Sequence, residues 1–260
     1  MKVWISRPLI TPEQVQELKR ILQPGDLILE RRNWYLSNGF LPGFWTHMVL
    51  YVGAAEDLER RDLATHPSVR QHLESFRRLD RHGHAHRAIE AVSAGVVFSS
   101  LEEVASADHL AVLRPRVSDA RKNIAIVRAF SHYGKPYDFD FDFFSTDKVV
   151  CTELIYRSYD EFIGGEGVRF PLVRIMGRDA LPADEAVRMF AQERLQDRQR
   201  EAPDVKLASQ LEFVLFLDGD GWAGTARPAG VEKFIRSIDR PDRLLTPGGQ
   251  TAGGAGREER

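Results

Sequence analysis

Several short apolar runs, each bounded by turn residues, set the main constraint on what this chain can become. Residues 27–30, 46–52, 88–98, 109–114 and 211–217 are apolar runs that read as short strands. The 88–98 stretch divides into AIEAV and GVVF around Ser93-Ala94-Gly95, which reads as a hairpin or a bent strand. Helical periods lie before, between and after these runs. Thr11, Pro12 and Gln14 form a capped start for a helix whose face carries Val15, Leu18 and Leu22. Ile124, Val127 and Phe130 keep helical register within 119–133, a further helix begins near Cys151, and 182–195 is another candidate. Strands interleaved with helices in this way predict a mixed α+β fold. One domain is expected over 1–245, with an amphipathic helical insertion at about 55–87 and a disordered tail at 246–260.

The chain has 260 residues, and its 43% hydrophobic content is enough for a sizeable core. The 36 basic residues against 38 acidic ones leave no electrostatic footprint for nucleic acid. Cys151 is the only cysteine, so no internal disulfide and no multi-cysteine metal site can form. The first residues carry no apolar run of signal-peptide length, and no stretch approaches the roughly 18 apolar residues of a membrane span. A soluble, cytoplasmic protein without a transmembrane segment is the expectation. There is no G-x-S-x-G elbow, no H-E-x-x-H, no phosphate loop and no dinucleotide fingerprint.

Three residues carry candidate chemistry. Cys151 stands where an extended segment turns into a helix, so its sulfur meets the positive end of the helix dipole, which favours thiolate. Backbone donors there could also hold an oxyanion. His47 opens an apolar strand and is a natural base for that thiol. Glu90 interrupts AIEAV, and a carboxylate among apolar strand residues needs a partner, which an imidazole would supply. Each also has an ordinary alternative: a small buried thiol, a satisfied histidine, an outward-facing edge glutamate. Tyr35, Tyr137 and Trp45 are candidates for lining the pocket or donating to an oxyanion. A rival site combines His82, His84 and His86, whose alternation would put them on one side of a strand as zinc ligands. Asp138, Asp140 and Asp142 alternate with Phe139, Phe141 and Phe143, which reads as one wet acidic face and one packed aromatic face.

Pro24-Gly25-Asp26-Leu27-Ile28, the run WTHMVLYVG ending at Gly53, Ile89-Glu90-Ala91, Gly134-Lys135-Pro136-Tyr137-Asp138 and VCTELI from Val150 together resemble the YiiX/YebB-like branch of the NlpC/P60 superfamily. Its members are circularly permuted papain-like cysteine hydrolases with the histidine ahead of the cysteine in the chain. The resemblance implies an antiparallel sheet packed against helices, with Cys151 as nucleophile, His47 as base and Glu90 as the residue orienting the imidazole. It implies no metal and no cofactor. The expected reaction is cleavage of an amide or ester bond through a thioester, on a peptide, a wall fragment or a lipid. A lipid acyltransferase or lipase-like activity of the lecithin–retinol type is the alternative within the superfamily, since the apolar 34–45 loop could suit a lipid tail. A non-enzymatic binding protein on the same fold is the alternative outside it. The 55–87 insertion departs from compact members and could cover the cleft.

Overall fold

A computed structural model describes residues 7–33, 43–139, 147–160, 166–175, 177–199, 209–219 and 224–240. The tail 246–260, Tyr35, Asp140 and Asp142 lie outside the described residues.

Helix α1 (Pro12–Ile21) starts as its sequence demands: Thr11 Oγ1 accepts from Gln14 N–H, and the Gln14 side chain accepts from Thr11 N–H. Strands β1 (Leu27–Arg31) and β2 (His47–Tyr51) follow. The 55–87 insertion folds as α2 (Ala55–Arg60), α3 (Pro67–Arg70) and α4 (Leu73–Arg77). Its apolar residues Leu58, Val69 and Phe76 belong to the main core, and α3 packs on the later helix at 119–131. These helices are therefore packed onto the main core through one apolar face each.

The 88–98 region resolves into a hairpin of β3 (His86–Val92) and β4 (Gly95–Ser100), closed by Val92 opposite Gly95. Gly95 has φ +106°, and a Cβ there would stand 2.4 Å from the Lys135 carbonyl oxygen. That close approach is used: Val96 N–H donates to the Lys135 carbonyl at 2.8 Å, and Gly134 N–H to the Val96 carbonyl at 2.9 Å. The segment carrying Tyr137 is thereby docked on the hairpin.

The short α5 (Leu101–Val104) leads into β5 (His109–Pro115) and α6 (Asp119–Ser131). Helix α7 (Cys151–Tyr159) packs against α6, β2 and β3. A small hairpin of β6 (Val173–Ile175) and β7 (Arg178–Ala180) precedes α8 (Ala183–Arg198). Strands β8 (Leu211–Asp218) and β9 (Arg227–Pro228) and helix α9 (Val231–Ile235) complete the order.

Among the described residues the main sheet has seven strands in the order β4-β3-β2-β1-β5-β8-β9, antiparallel at every pairing. Both faces are covered. Leu27, Leu29, Met48, Leu50, Ile89, Ala111 and Leu113 pack into a core shared with α6, α7 and α8. Ile28, Val49, Tyr51, Ala88, Leu110 and Val112 face a second core with α1 and α5. Two-sided burial explains why the central strands read as continuous apolar runs without alternation. The mixed α+β fold, with helices on an antiparallel sheet, is as the sequence predicts.

Candidate active site

Strand register brings the polar residues of this sheet together. Glu30 on β1 is the direct cross-strand partner of His47 on β2. The β2–β3 pairing sets Leu50 opposite Ile89 and Tyr51 opposite Ala88. Continuing it puts Glu90 opposite Val49, one diagonal step from His47 and on the same side of the sheet. His47 Nε2 and Glu90 Oε2 are 2.6 Å apart, a short charge-assisted contact. That bond leaves Nδ1 without a carboxylate, and the Cys151 thiol is the other group that acts on the imidazole. Ser99 on β4 hydrogen-bonds Glu90 from the far side.

The approach to β2 is anchored from α8. Asp184 accepts backbone N–H groups of Phe44 at 2.9 Å and Trp45 at 2.8 Å. These bonds fix the backbone immediately ahead of His47. On the other side, Cys151 opens α7, where the first N–H groups have no intrahelical acceptor. The sulfur accepts from the backbone N–H of Thr152 and of Met48, the residue after His47. The thiol is thus seated against the first residues of β2. Glu153 Oε2 caps the same helix, accepting Val150 N–H at 3.2 Å.

The electrostatics follow from this packing. Burial alone would raise the Cys151 thiol, but the charge and hydrogen bond of His47, with the Met48 and Thr152 N–H donors, hold it below its ordinary value. Burial works against a charged His47. The Cys151 thiolate and then Glu90 overcome that cost and carry the imidazole well above its ordinary range. Glu90 is desolvated as well, yet His47 and Ser99 keep it below the usual carboxylate value. Burial pushes Glu153 up to about 7 despite Arg157.

The structure brings together Cys151, His47 and Glu90 of the sequence candidates. Tyr137 joins them: its backbone bridges to Val149, and the negative charges of Cys151 and Asp138 add to burial in raising its hydroxyl pKa. Trp45 differs from expectation. It is only 1% exposed, its ring packs on Phe44, Phe216 and Phe234, and its indole N–H is committed to Ser237 Oγ at 2.8 Å. It anchors the core and has no second donor for an oxyanion.

The histidine triplet does not converge. His84 Nδ1 turns to Asp80 at 3.2 Å, His86 Nδ1 to the Phe76 carbonyl at 3.1 Å, and His82 Nε2 to Arg81 at 3.0 Å. The acidic–aromatic alternation is also reversed where it is described: Asp138 is buried, while Phe139 is 66% exposed with its ring 5.0 Å from Tyr137. The link of this segment to Val149 turns Asp138 inward.

Sequence reasoning missed Glu30, Arg32 and Asp184. Glu30 had the same signal as Glu90, a carboxylate on an apolar strand, at the end of LILE. Among the described residues, Glu30, His47 and Glu90 also form a group whose ligand-type atoms lie within 4.8 Å of one another. Their charges are already matched without an ion: His47 binds Glu90, and Arg32 Nη2 lies 3.1 and 3.2 Å from the two Glu30 oxygens. A cation there would compete with both pairings.

Among the described residues, no helix is long and apolar enough to cross a membrane. A protein family described as permuted papain-like amidase enzyme, YaeF/YiiX, C92 family, matches residues 21–215. No curated protein and no solved structure gives a comparable match.

Proposed function

The chain belongs to the permuted papain-like amidase family, and from that premise we propose that it cleaves an amide or ester bond with Cys151 as nucleophile, His47 as acid and base, and Glu90 as the group that orients and charges the imidazole. The observation that supports this reading is the 2.6 Å contact of His47 with Glu90, together with the mutual electrostatic coupling of His47 and the Cys151 thiol.

In the first step the Cys151 sulfur attacks the carbonyl carbon and the carbonyl electrons move to oxygen. Backbone N–H groups at the start of α7, turned from the sulfur as it is acylated, and the Tyr137 hydroxyl, kept protonated by its surroundings, donate to that oxyanion. As the tetrahedral intermediate collapses, the C–N or C–O bond breaks and His47 gives its proton to the leaving amine or alkoxide. A thioester remains. His47, now neutral, takes a proton from water as the water oxygen attacks the thioester. The C–S bond breaks, the acid leaves, and Cys151 returns as thiolate beside the imidazolium. Glu90 holds one ring tautomer throughout.

The substrate is a peptide, a wall fragment or a lipid amide or ester. One observation favours a second reading in which an alcohol or amine replaces water. The exposed ring of Phe139 lies against Tyr137, which itself feels the Cys151 charge, and supplies an apolar surface suited to an acyl chain.

The test is the rate of Cys151 alkylation by iodoacetamide against pH, followed by intact mass in wild type and His47→Ala. The expected wild-type midpoint lies well below the free-thiol value of about 8.5 and moves toward it in the variant. A normal midpoint in wild type, unchanged by the substitution, overturns the assignment. Product analysis with and without an added alcohol then separates hydrolysis from acyl transfer.

A further inference from the structure

The site holds a second carboxylate that the mechanism above does not use. Glu30 is 4% exposed and directly opposite His47 across the β1–β2 ladder. One of its oxygens lies within 4.8 Å of a His47 ring nitrogen and of a Glu90 carboxylate oxygen. It is held in place: Arg32 Nη2 contacts both of its oxygens and also donates to the Glu103 carbonyl at 3.1 Å. One guanidinium nitrogen therefore ties the end of β1 to α5 and fixes the carboxylate beside the imidazole. A buried carboxylate next to another one is costly in a fold that could have used leucine or glutamine there. Arg32 and then the His47 charge offset part of that cost, while burial and Glu90 still hold the Glu30 carboxyl above its usual range.

We infer that Glu30 is a positioning residue for His47, a second negative group that, with Glu90, keeps the imidazole basic when the Cys151 charge is absent. The inference rests on the reading of Cys151 and His47 as nucleophile and base. The thiolate is the leading source of positive-charge stabilisation at His47 in the resting site. Formation of the thioester removes it, because the sulfur lone pair becomes the C–S bond. The imidazole must then accept a proton from water with only the carboxylates beside it. Glu90 gives direction as well as charge; Glu30 gives charge from the flank. The groups that face this imidazole are Glu30 from β1, Glu90 from β3 and Cys151 from α7. Arg32 offsets Glu30, Ser99 from β4 binds Glu90, and Tyr137 lies near the sulfur.

The experiment compares wild type, Glu30→Gln and Glu30→Asp, with folding checked by circular dichroism. Two readouts are taken: the pH midpoint of Cys151 alkylation, and the pH dependence of hydrolysis of a thioester formed on Cys151 with p-nitrophenyl acetate. Glu30→Gln is expected to raise the alkylation midpoint by about one unit, a tenfold loss of thiolate below it, and to slow thioester hydrolysis about tenfold near neutral pH. Glu30→Asp keeps the charge and should restore most of both. Unchanged profiles in folded Glu30→Gln overturn the inference, as do equal changes in the two variants, which would mean packing alone. Should Glu30→Gln fail to fold, carbon-13 glutamate NMR of wild type decides. The Glu30 carboxyl must show an inflection at the pH where His47 titrates, and its absence overturns the inference. A wild-type thiol with an ordinary midpoint would instead overturn the nucleophile–base reading, so the two failures are distinguishable.

Discussion

Glu90→Gln isolates the charge of the residue proposed to orient His47 from its shape. Glutamine keeps the length of the side chain and one acceptor oxygen, so it preserves packing on β3 and a neutral hydrogen bond to His47 Nε2. What it removes is the negative charge 2.6 Å from the ring nitrogen. With charge centres about 4 Å apart and an effective dielectric of about 20, the lost attraction is about 4 kcal/mol. At about 1.4 kcal/mol per pKa unit this is an upper limit of about three units in the stability of the imidazolium. Glu30 and Cys151 remain, and water reaches part of the His47 side chain, which is 14% exposed, so about two units is the expected loss. The Cys151 thiolate depends on that imidazolium, and its midpoint should rise by a similar amount. Amide or ester turnover near neutral pH should fall by about a hundredfold or more, because the base is weaker and its tautomer less strictly held. The assay is the iodoacetamide titration together with turnover of an activated ester, and urea unfolding confirms that the variant is folded. A midpoint within about 0.3 units of wild type in a folded Glu90→Gln protein would refute the reasoning, since it would show that the short contact carries no charge coupling.

Three further predictions concern the frame around the site. Asp184→Ala leaves the Phe44 and Trp45 N–H groups unpaired in the interior and should cost about 2–4 kcal/mol, read by urea unfolding, with Asp184→Asn intermediate. Asp218→Asn should cost about 3–5 kcal/mol, because that buried carboxylate binds Arg240 through both oxygens at 2.6 and 2.8 Å, Lys233 at 2.7 Å and His109 at 2.9 Å. Its folded pKa is held below the ordinary value, so the stabilisation is present above the unfolded pKa and is lost as pH falls through the folded one; thermal melts in acid should show the loss in wild type and not in the variant. Burial and the nearby Lys135 and Arg157 lower His132 from 6.5 to about 4, so the unfolded chain takes up this proton first. Wild-type stability should decline as pH drops from 6.5 toward 4, and His132→Gln should flatten that decline in melts across the same window.

Cys151, His47 and Glu90 were legible because each breaks its local pattern: a thiol where a strand-like segment becomes a helix, and an imidazole and a carboxylate inside apolar runs. The first helix was legible for a similar reason, since a capping box is a contact between residues three apart. Trp45 was misjudged because the group that takes its indole proton, Ser237, lies 192 residues away. The insertion could be read as amphipathic, but not as core, since its apolar face is defined by helices elsewhere in the chain.

What the sequence by itself determined is therefore local: the kinds of element, their approximate order, and the residues whose chemistry is out of place among their neighbours. These follow from hydrophobic period, capping and turn preference, which act over a few residues. Tertiary structure alone decided which out-of-place residues meet. Strand register set Glu30 against His47, the hairpin at Gly95 received the Tyr137 segment, and Asp184 on α8 held the backbone ahead of the histidine. The physical reason is that ladder register and buried hydrogen-bond partners are settled by long-range packing, where a shift of one residue turns every side chain to the opposite face.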